Sequence, residues 1–197
     1  MINLKGKKII NIVGASGSGK TTLGGDLKKR GIPELVSHTS RNIRLHDGEV
    51  DGVSYHFTTK EAIIEMDTNN ELVEHVIYSG NHYALSKKEV EDKLTTSDIV
   101  FAITDKNGNK HLKDVYGEDM IETIFVLIDT DTLAQRLKDR GDSEEVIKAR
   151  IENIEATKEL DNYKIADYVI LNKDYNKAKS QLFFIVDTIL ESLNKNY

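Results

Sequence analysis

The chain has 197 residues, 39% of them apolar and 30% charged, enough to bury one core and carry one catalytic cleft. A formal charge of -6 at pH 7 gives no general attraction for nucleic acid or an anionic membrane, so an anionic ligand must be met by a local group of cations. The absence of cysteine excludes disulfides and thiolate zinc sites, and the six histidines show no ligand-like spacing.

The amino terminus, MINLKGKKIINIVG, is basic and then apolar, with an apolar run too short for a signal peptide or a membrane span. It reads as the start of a cytoplasmic protein without membrane contact. The run KKIINIV predicts a strand and leads into VGASGSGKTT, Val13 to Thr22. Gly14, Gly19, Lys20 and Thr21 satisfy the phosphate-loop pattern G-x-x-x-x-G-K-[ST], with a predicted strand before it and a helix after it. The backbone from Gly14 through Ala15, Ser16, Gly17, Ser18 and Gly19 to Lys20 can then converge N–H groups on the phosphates of a nucleotide. The Lys20 ammonium reaches the transferred phosphate, Thr21 can ligate Mg²⁺, and Thr22, next on the helix start, completes the set expected to bind the nucleotide. A bare glycine-rich turn is the alternative, and the flanking strand and helix weigh against it.

Gly31 marks the expected stop of that first helix, and ELVS predicts a second strand. From about Ser37 to Tyr83 the pattern changes. GEVDGVSYHF and ELVEHVIYSGNHYAL read as short strands with a hairpin at Ser79-Gly80, which predicts an inserted, mostly antiparallel lobe. TTKE (Thr58 to Glu61) and SKKE (Ser86 to Glu89) read as capping boxes at two helix starts. DIVFAIT, ETIFVLI and DYVIL complete a series of strands alternating with helices, the signature of a parallel sheet covered on both faces. Gly141 marks another helix stop, inside RLKDRGDSEEVIKAR.

A phosphate loop alone does not separate a kinase from a GTPase. DKNG, Asp105 to Gly108, fits D-x-x-G, but NKDY, Asn172 to Tyr175, has Tyr175 where a guanine-reading Asp belongs. The arginines discriminate better. Six of the 27 basic residues are Arg. Arg41 and Arg44 lie in the inserted lobe, Arg136, Arg140 and Arg150 lie around the later helix-loop-helix, and Arg30 ends the first helix. Guanidinium forks suit phosphate oxygens, so two clusters point to two phosphate-bearing groups brought together. Solvated ion pairs between helix turns are the competing explanation for any one of them.

In order along the chain, GASGSGKTT, SHTSRNIR, GEVDGVSYHF, ELVEHVIYSGNHY, RLKDRGDSEEVIKAR and DYVILN resemble the guanylate kinase family across almost the whole chain. The resemblance implies an α/β fold: a P-loop, three-layer α/β/α parallel-sheet core with an inserted mixed α+β lobe and a short helical lid. The core would comprise residues 1–36, 101–136 and 152–197, the monophosphate-binding lobe 37–100 and the lid 137–151. It implies transfer of the γ-phosphate of MgATP to GMP or dGMP, small-molecule nucleotides as the only partners, and a monomer or homodimer. Matched residue by residue, it puts Arg41, Arg44, Tyr55 and Tyr83 on the acceptor phosphate and Ser37, Glu74 and Asp105 near its base. It puts Arg136, Arg140 and Arg150 with Lys20 on the phosphates in flight and Asn172 near adenine. Asp105, at a strand end, would also hold Mg²⁺ through water, with Thr21 as the direct ligand.

Three departures from the family pattern stand out. Leu85 occupies the position of a Ser that donates to guanine O6, Ala84 replaces a Gly, and Ile103 replaces an Asp two residues before Asp105. A relaxed (deoxy)nucleoside monophosphate kinase on the same scaffold is therefore the close alternative. A non-catalytic guanylate-kinase-like binding module is a further one, opposed by the intact Lys20, Thr21 and lid arginines.

Overall fold

The computed structural model describes residues 4–194. Its first sheet has the order β6-β1-β7-β8, all parallel, built from β1 (Lys8–Val13), β6 (Ile99–Ile103), β7 (Ile121–Leu127) and β8 (Tyr168–Leu171). β1 is apolar and buried along nearly all its length because helices cover both faces. Alternate residues go to opposite layers. Ile10 and Ile12 pack with Leu23 and Leu27 of α1 (Lys20–Lys29) and with Leu182 and Val186 of α7 (Tyr175–Asn194). Ile9 packs on the other face with Leu94 of α3 (Lys87–Thr96) and Leu112 of α4 (Lys106–Tyr116).

Asn11 interrupts this apolar strand on the α4 side and is fully buried. Its amide donates to Thr104 Oγ1 at 2.9 Å and to Asn109 Oδ1 at 2.8 Å, and Thr123 Oγ1 donates to the same Asn109 oxygen at 2.9 Å. A satisfied buried network of this kind fixes one arrangement of its elements. Here it ties β1, β7 and α4 to the strand end that carries Asp105.

The expected strand ELVS does not form a strand and makes only an isolated parallel bridge, Glu34 to Phe101. Phe101 N–H donates to Pro33 O at 2.9 Å and Leu35 N–H to Phe101 O at 2.7 Å, after which the chain leaves for the second sheet. Pro33 has no N–H to extend this pairing.

The second sheet has the order β3-β2-β5-β4, with β2 (His38–Thr39), β3 (His56–Phe57), β4 (Leu72–Tyr78) and β5 (Asn81–Ser86). β5 pairs antiparallel with β2 and β4, and β2 pairs parallel with β3. GEVDGVSYHF thus yields only β3 and one isolated bridge, Asp51 to Tyr55. The β4-β5 hairpin turns through Ser79 at φ 48° and Gly80 at φ 77°, the paired left-handed conformations of a tight hairpin. α2 (Lys60–Thr68) covers one face with Ile63 against Leu72 and Ala84. Its cap is Thr59, whose hydroxyl accepts from Ala62 N–H at 3.1 Å, one residue later than TTKE predicts. Ser86 caps α3 by accepting from Glu89 N–H at 3.1 Å. Glu89 does not close the box, because its carboxylate accepts from Val36 N–H at 2.9 Å and meets His56 Nε2 at 3.1 Å.

α5 (Thr130–Asp139) and α6 (Glu144–Ala156) form a helical hairpin beyond β7. Leu133, Leu137 and Ile154 of that hairpin pack against Ala15 of the phosphate loop. This apolar seam brings the later arginines to the loop.

Candidate nucleotide site

The loop between β1 and α1 depends on glycine at both ends. Gly14 has φ 148° and Gly19 φ 96°. A Cβ on Gly14 would stand 2.5 Å from Val126 O, and one on Gly19 would stand 2.3 Å from Asn172 Nδ2. The Lys20 ammonium lies over the loop and donates to Gly14 O at 2.5 Å and Ala15 O at 3.0 Å. Burial pushes its pKa down, opposed by the charges of Glu159 and Asp105. The α1 N-terminus aims its first N–H groups at the same place.

Between this loop and the end of α5 lies a cleft of about 390 Å³ where Lys20, Thr21 and Thr22 meet Arg136 and Arg140. Arg140 is held by Asp142. Arg136 Nη2 approaches Asn172 Oδ1 at 3.5 Å. Arg150 comes in from α6 and donates to Ser16 Oγ. Three arginines, read from sequence as one cluster, thus stand around one loop. Asn172, the residue expected near adenine, packs against the phosphate loop itself. It is 3% exposed, donates to Ser18 O at 2.7 Å and closes over Gly19. It braces the loop from below.

In the second sheet, Arg41 is gripped by an acid that sequence reading left without a role. Its Nη1 and Nη2 donate to Glu49 Oε2 and Oε1 at 3.0 and 2.6 Å. Hydrogen bonding to Glu49 is the main reason that its pKa is raised. Its guanidinium carbon lies 5.5 Å from the Tyr55 ring centroid and 5.8 Å from that of Phe57. Tyr55 and Tyr83 meet edge to face at 5.9 Å. Arg44 is held more loosely. Its backbone N–H donates to Glu49 at 2.7 Å, while its side chain is 55% exposed and 4.0 Å from Asp47. Ser37 leads into β2, where its carbonyl accepts from His56 N–H at 2.9 Å.

Glu74 projects from β4 toward α4. Its side chain is 16% exposed and lies 3.7 Å from His111 Nδ1. Burial raises its pKa, the Asp105 charge adds to this, and His111 opposes it. Asp105 caps α4 through Oδ1, which accepts from Asn107 N–H at 2.8 Å and Gly108 N–H at 2.9 Å. It is thus felt by Glu74 on one side and by Lys20 on the other. Glu159, opening the 3₁₀ segment Glu159–Ile165, lines the same gap as Gly14 and Asp105. The sequence reading missed Glu49, His111 and Glu159. Only Glu49 carried a signal, inside the GEVDG segment eight residues beyond Arg41.

The guanylate kinase family model matches residues 6–189. The guanylate kinase of Acinetobacter baylyi is 36% identical over 176 residues, covering 87% of this chain and 82% of the relative. That of Fusobacterium nucleatum is 34% identical over 178 residues, covering 89% and 94%. Among solved structures, the guanylate kinase of Anaplasma phagocytophilum superimposes with a TM-score of 0.68 at 23% identity, over 95% of this chain and 86% of that one.

Proposed function

The chain belongs to the guanylate kinase family and phosphorylates GMP, and we propose that it does so from MgATP, with dGMP as a second acceptor, through the residues around Lys20, Asp105 and Glu74. The observation that carries the residue assignment is the position of Asp105. The acid just beyond β6 lines the same gap as Gly14 of the phosphate loop, near enough to Lys20 and Glu74 for its charge to bear on both, which supports one cleft for the two halves of the reaction.

In this reading the loop N–H groups and Lys20 hold the ATP phosphates, and Lys20 exchanges its carbonyl contacts for phosphate oxygens. Arg136, Arg140 and Arg150, in the core end and the 137–151 lid, meet the negative charge that spreads over the moving phosphoryl group. Arg41, with Tyr55, Tyr83 and Arg44, holds the acceptor phosphate within the 37–100 lobe. Glu74 accepts from the adjacent N1 and N2 donors of guanine, which adenine cannot offer, with Ser37 and Asp105 beside the base. Asn172 supports the loop that meets the nucleotide.

The donor set suits Mg²⁺, a hard ion that keeps waters and takes substrate phosphates as ligands. Thr21, lining the cleft, would supply a hydroxyl and Asp105, lining the gap beside Gly14, a carboxylate, and among the described residues no three His, Asp or Glu side chains cluster as a closed metal cage. When bound, the ion neutralises phosphate charge and orients the γ-phosphate. No described helix is long and apolar enough to cross a membrane. A cytoplasmic enzyme acting on free nucleotides completes the proposal.

Leu85 favours a second reading, a kinase of relaxed base selection, because it offers guanine O6 no hydrogen bond. A coupled assay with ATP, Mg²⁺ and a panel of monophosphates tests both. Rapid ADP formation that requires GMP or dGMP is expected. Faster turnover of AMP or a pyrimidine monophosphate would replace the guanine reading with the relaxed one, and ADP formation indifferent to acceptor would overturn both.

A further inference from the structure

Asp105, the N-cap of α4, is followed at three-residue spacing by Gly108 and His111 within the helix, and such positions neighbour one another along one face. Glu74, from β4, is packed against that face at two points. A Cβ built on Gly108 would stand 2.7 Å from Thr104 Cβ and 2.9 Å from Glu74 Oε2, so the missing side chain leaves that oxygen room against the helix. On the other side, Oε1 lies 3.7 Å from His111 Nδ1. That nitrogen is buried without a hydrogen-bond partner. A buried imidazole nitrogen left unpaired is uncommon, and 3.7 Å is ion-pair distance, one small side-chain movement from a hydrogen bond.

Resting on the reading of Glu74 as the acceptor for the base, we infer that His111 is a positioning residue for guanine. Together with Gly108 it fixes the rotation of the Glu74 carboxylate so that both oxygens meet the N1 and N2 donors. It thereby sets discrimination of GMP from purine monophosphates that lack the 2-amino group. A lone carboxylate can satisfy N1–H alone in many rotations, whereas accepting from N1–H and the 2-amino group together requires one. The ligand face of Glu74 is short of other constraints on this rotation, because its cross-strand neighbour is the apolar Leu85. Electrostatics act in the same sense. Burial and Asp105 both disfavour the ionised carboxylate, and His111 opposes them.

IMP is the discriminating probe, since it carries the same O6 and N1–H as GMP and lacks only the 2-amino group. The test is kcat and KM for GMP, IMP and ATP in the wild type, His111→Ala, His111→Gln and Glu74→Gln, with thermal melts to establish folding. For His111→Ala, KM for GMP should rise and the GMP/IMP ratio of kcat/KM should fall by about tenfold, the scale of one lost hydrogen bond. KM for ATP and kcat for GMP should stay near wild type. His111→Gln keeps an N–H that can point at the carboxylate, so it should recover most of the ratio and stand in if the alanine variant does not fold. Equal losses on GMP and IMP, or no change in either, would overturn the inference. Glu74→Gln separates the two levels. If it leaves the GMP/IMP ratio intact, the base-acceptor reading itself falls. If it collapses the ratio while both His111 variants keep it, only the role of His111 falls.

Discussion

Arg41 and Glu49 form a two-point ion pair, with Nη1 to Oε2 at 3.0 Å and Nη2 to Oε1 at 2.6 Å, while Nη1 also donates to Asn42 O at 2.7 Å. A guanidinium has five N–H donors, three of which are used here, and the Tyr83 hydroxyl is a further hydrogen-bonding neighbour. Glu49 therefore fixes the fork without using all of it.

The consequence concerns acceptor binding. Glu49→Gln should raise KM for GMP by about tenfold, because a less restrained arginine loses freedom when phosphate binds, and KM for ATP should not change. Arg41→Lys, which abolishes the planar fork, should act in the same direction and more strongly. A fall in KM for GMP in Glu49→Gln would mean that Glu49 competes with phosphate, and the assignment of a supporting role would be wrong.

Lys20 concerns the rate. Its ammonium is partly stripped of water and held by two loop carbonyls, a contact that phosphate oxygens can take over. Lys20→Met should lower kcat by about a hundredfold or more without unfolding the chain. Near wild-type turnover with a normal melt would remove the loop from the mechanism.

Arg140 and Arg150 approach the loop from the two helices of the α5-α6 hairpin, each steadied by one side chain, Asp142 and Ser16. Charge stabilisation grows as the phosphoryl group moves, so Arg140→Ala and Arg150→Ala should depress kcat by about tenfold to a hundredfold with little effect on KM for GMP. Raised KM for GMP with unchanged kcat would place them on the acceptor.

Asn172 illustrates what sequence alone withholds. It is 3% exposed, and its amide is committed to Ser18 O. Asn172→Ala would leave a buried carbonyl unpaired and should cost about 1–3 kcal/mol of stability. KM for ATP should rise as the loop loosens, while preference for ATP over GTP as donor should be unaffected. A change in donor preference at unchanged melting temperature would restore a direct contact with adenine.

The phosphate loop was legible because its chemistry is local: a strand, ten residues and a helix start carry all of it. The parallel sheet was legible from apolar runs of strand length, and ELVS fell short because pairing stops after Leu35. What stayed hidden depends on elements meeting across the fold. His111 and Glu74 are 37 positions apart, and only the packing of α4 on β4 joins them. Asn11 was visible as a polar residue in an apolar strand, but its partners come from α4 and the end of β6. Thr58 and Thr59 are chemically equal candidates for one cap, and the choice fell to how β3 delivers the chain to α2.

Leu85 is the last test, since it is opposite Glu74 in the β4-β5 ladder. Directly paired residues share a face with Cβ atoms about 4.5–5.5 Å apart, so a hydroxyl at position 85 would stand beside the base-reading acid. Ser86 does not supply one, because its hydroxyl caps α3 and meets His38 Nε2 at 3.1 Å. Leu85→Ser should therefore raise the preference for GMP over other monophosphates by about 10- to 100-fold, the worth of one hydrogen bond to a buried polar atom. The same change removes a side chain that is 4% exposed and packed with Val73, Val90 and Val100, and a large-to-small core substitution costs about 2–5 kcal/mol. The two effects are read separately, selectivity from kcat/KM ratios at low temperature and stability from the melt. A destabilised variant with unchanged selectivity would show that Leu85 serves the core alone and that base selection is set elsewhere in the cleft.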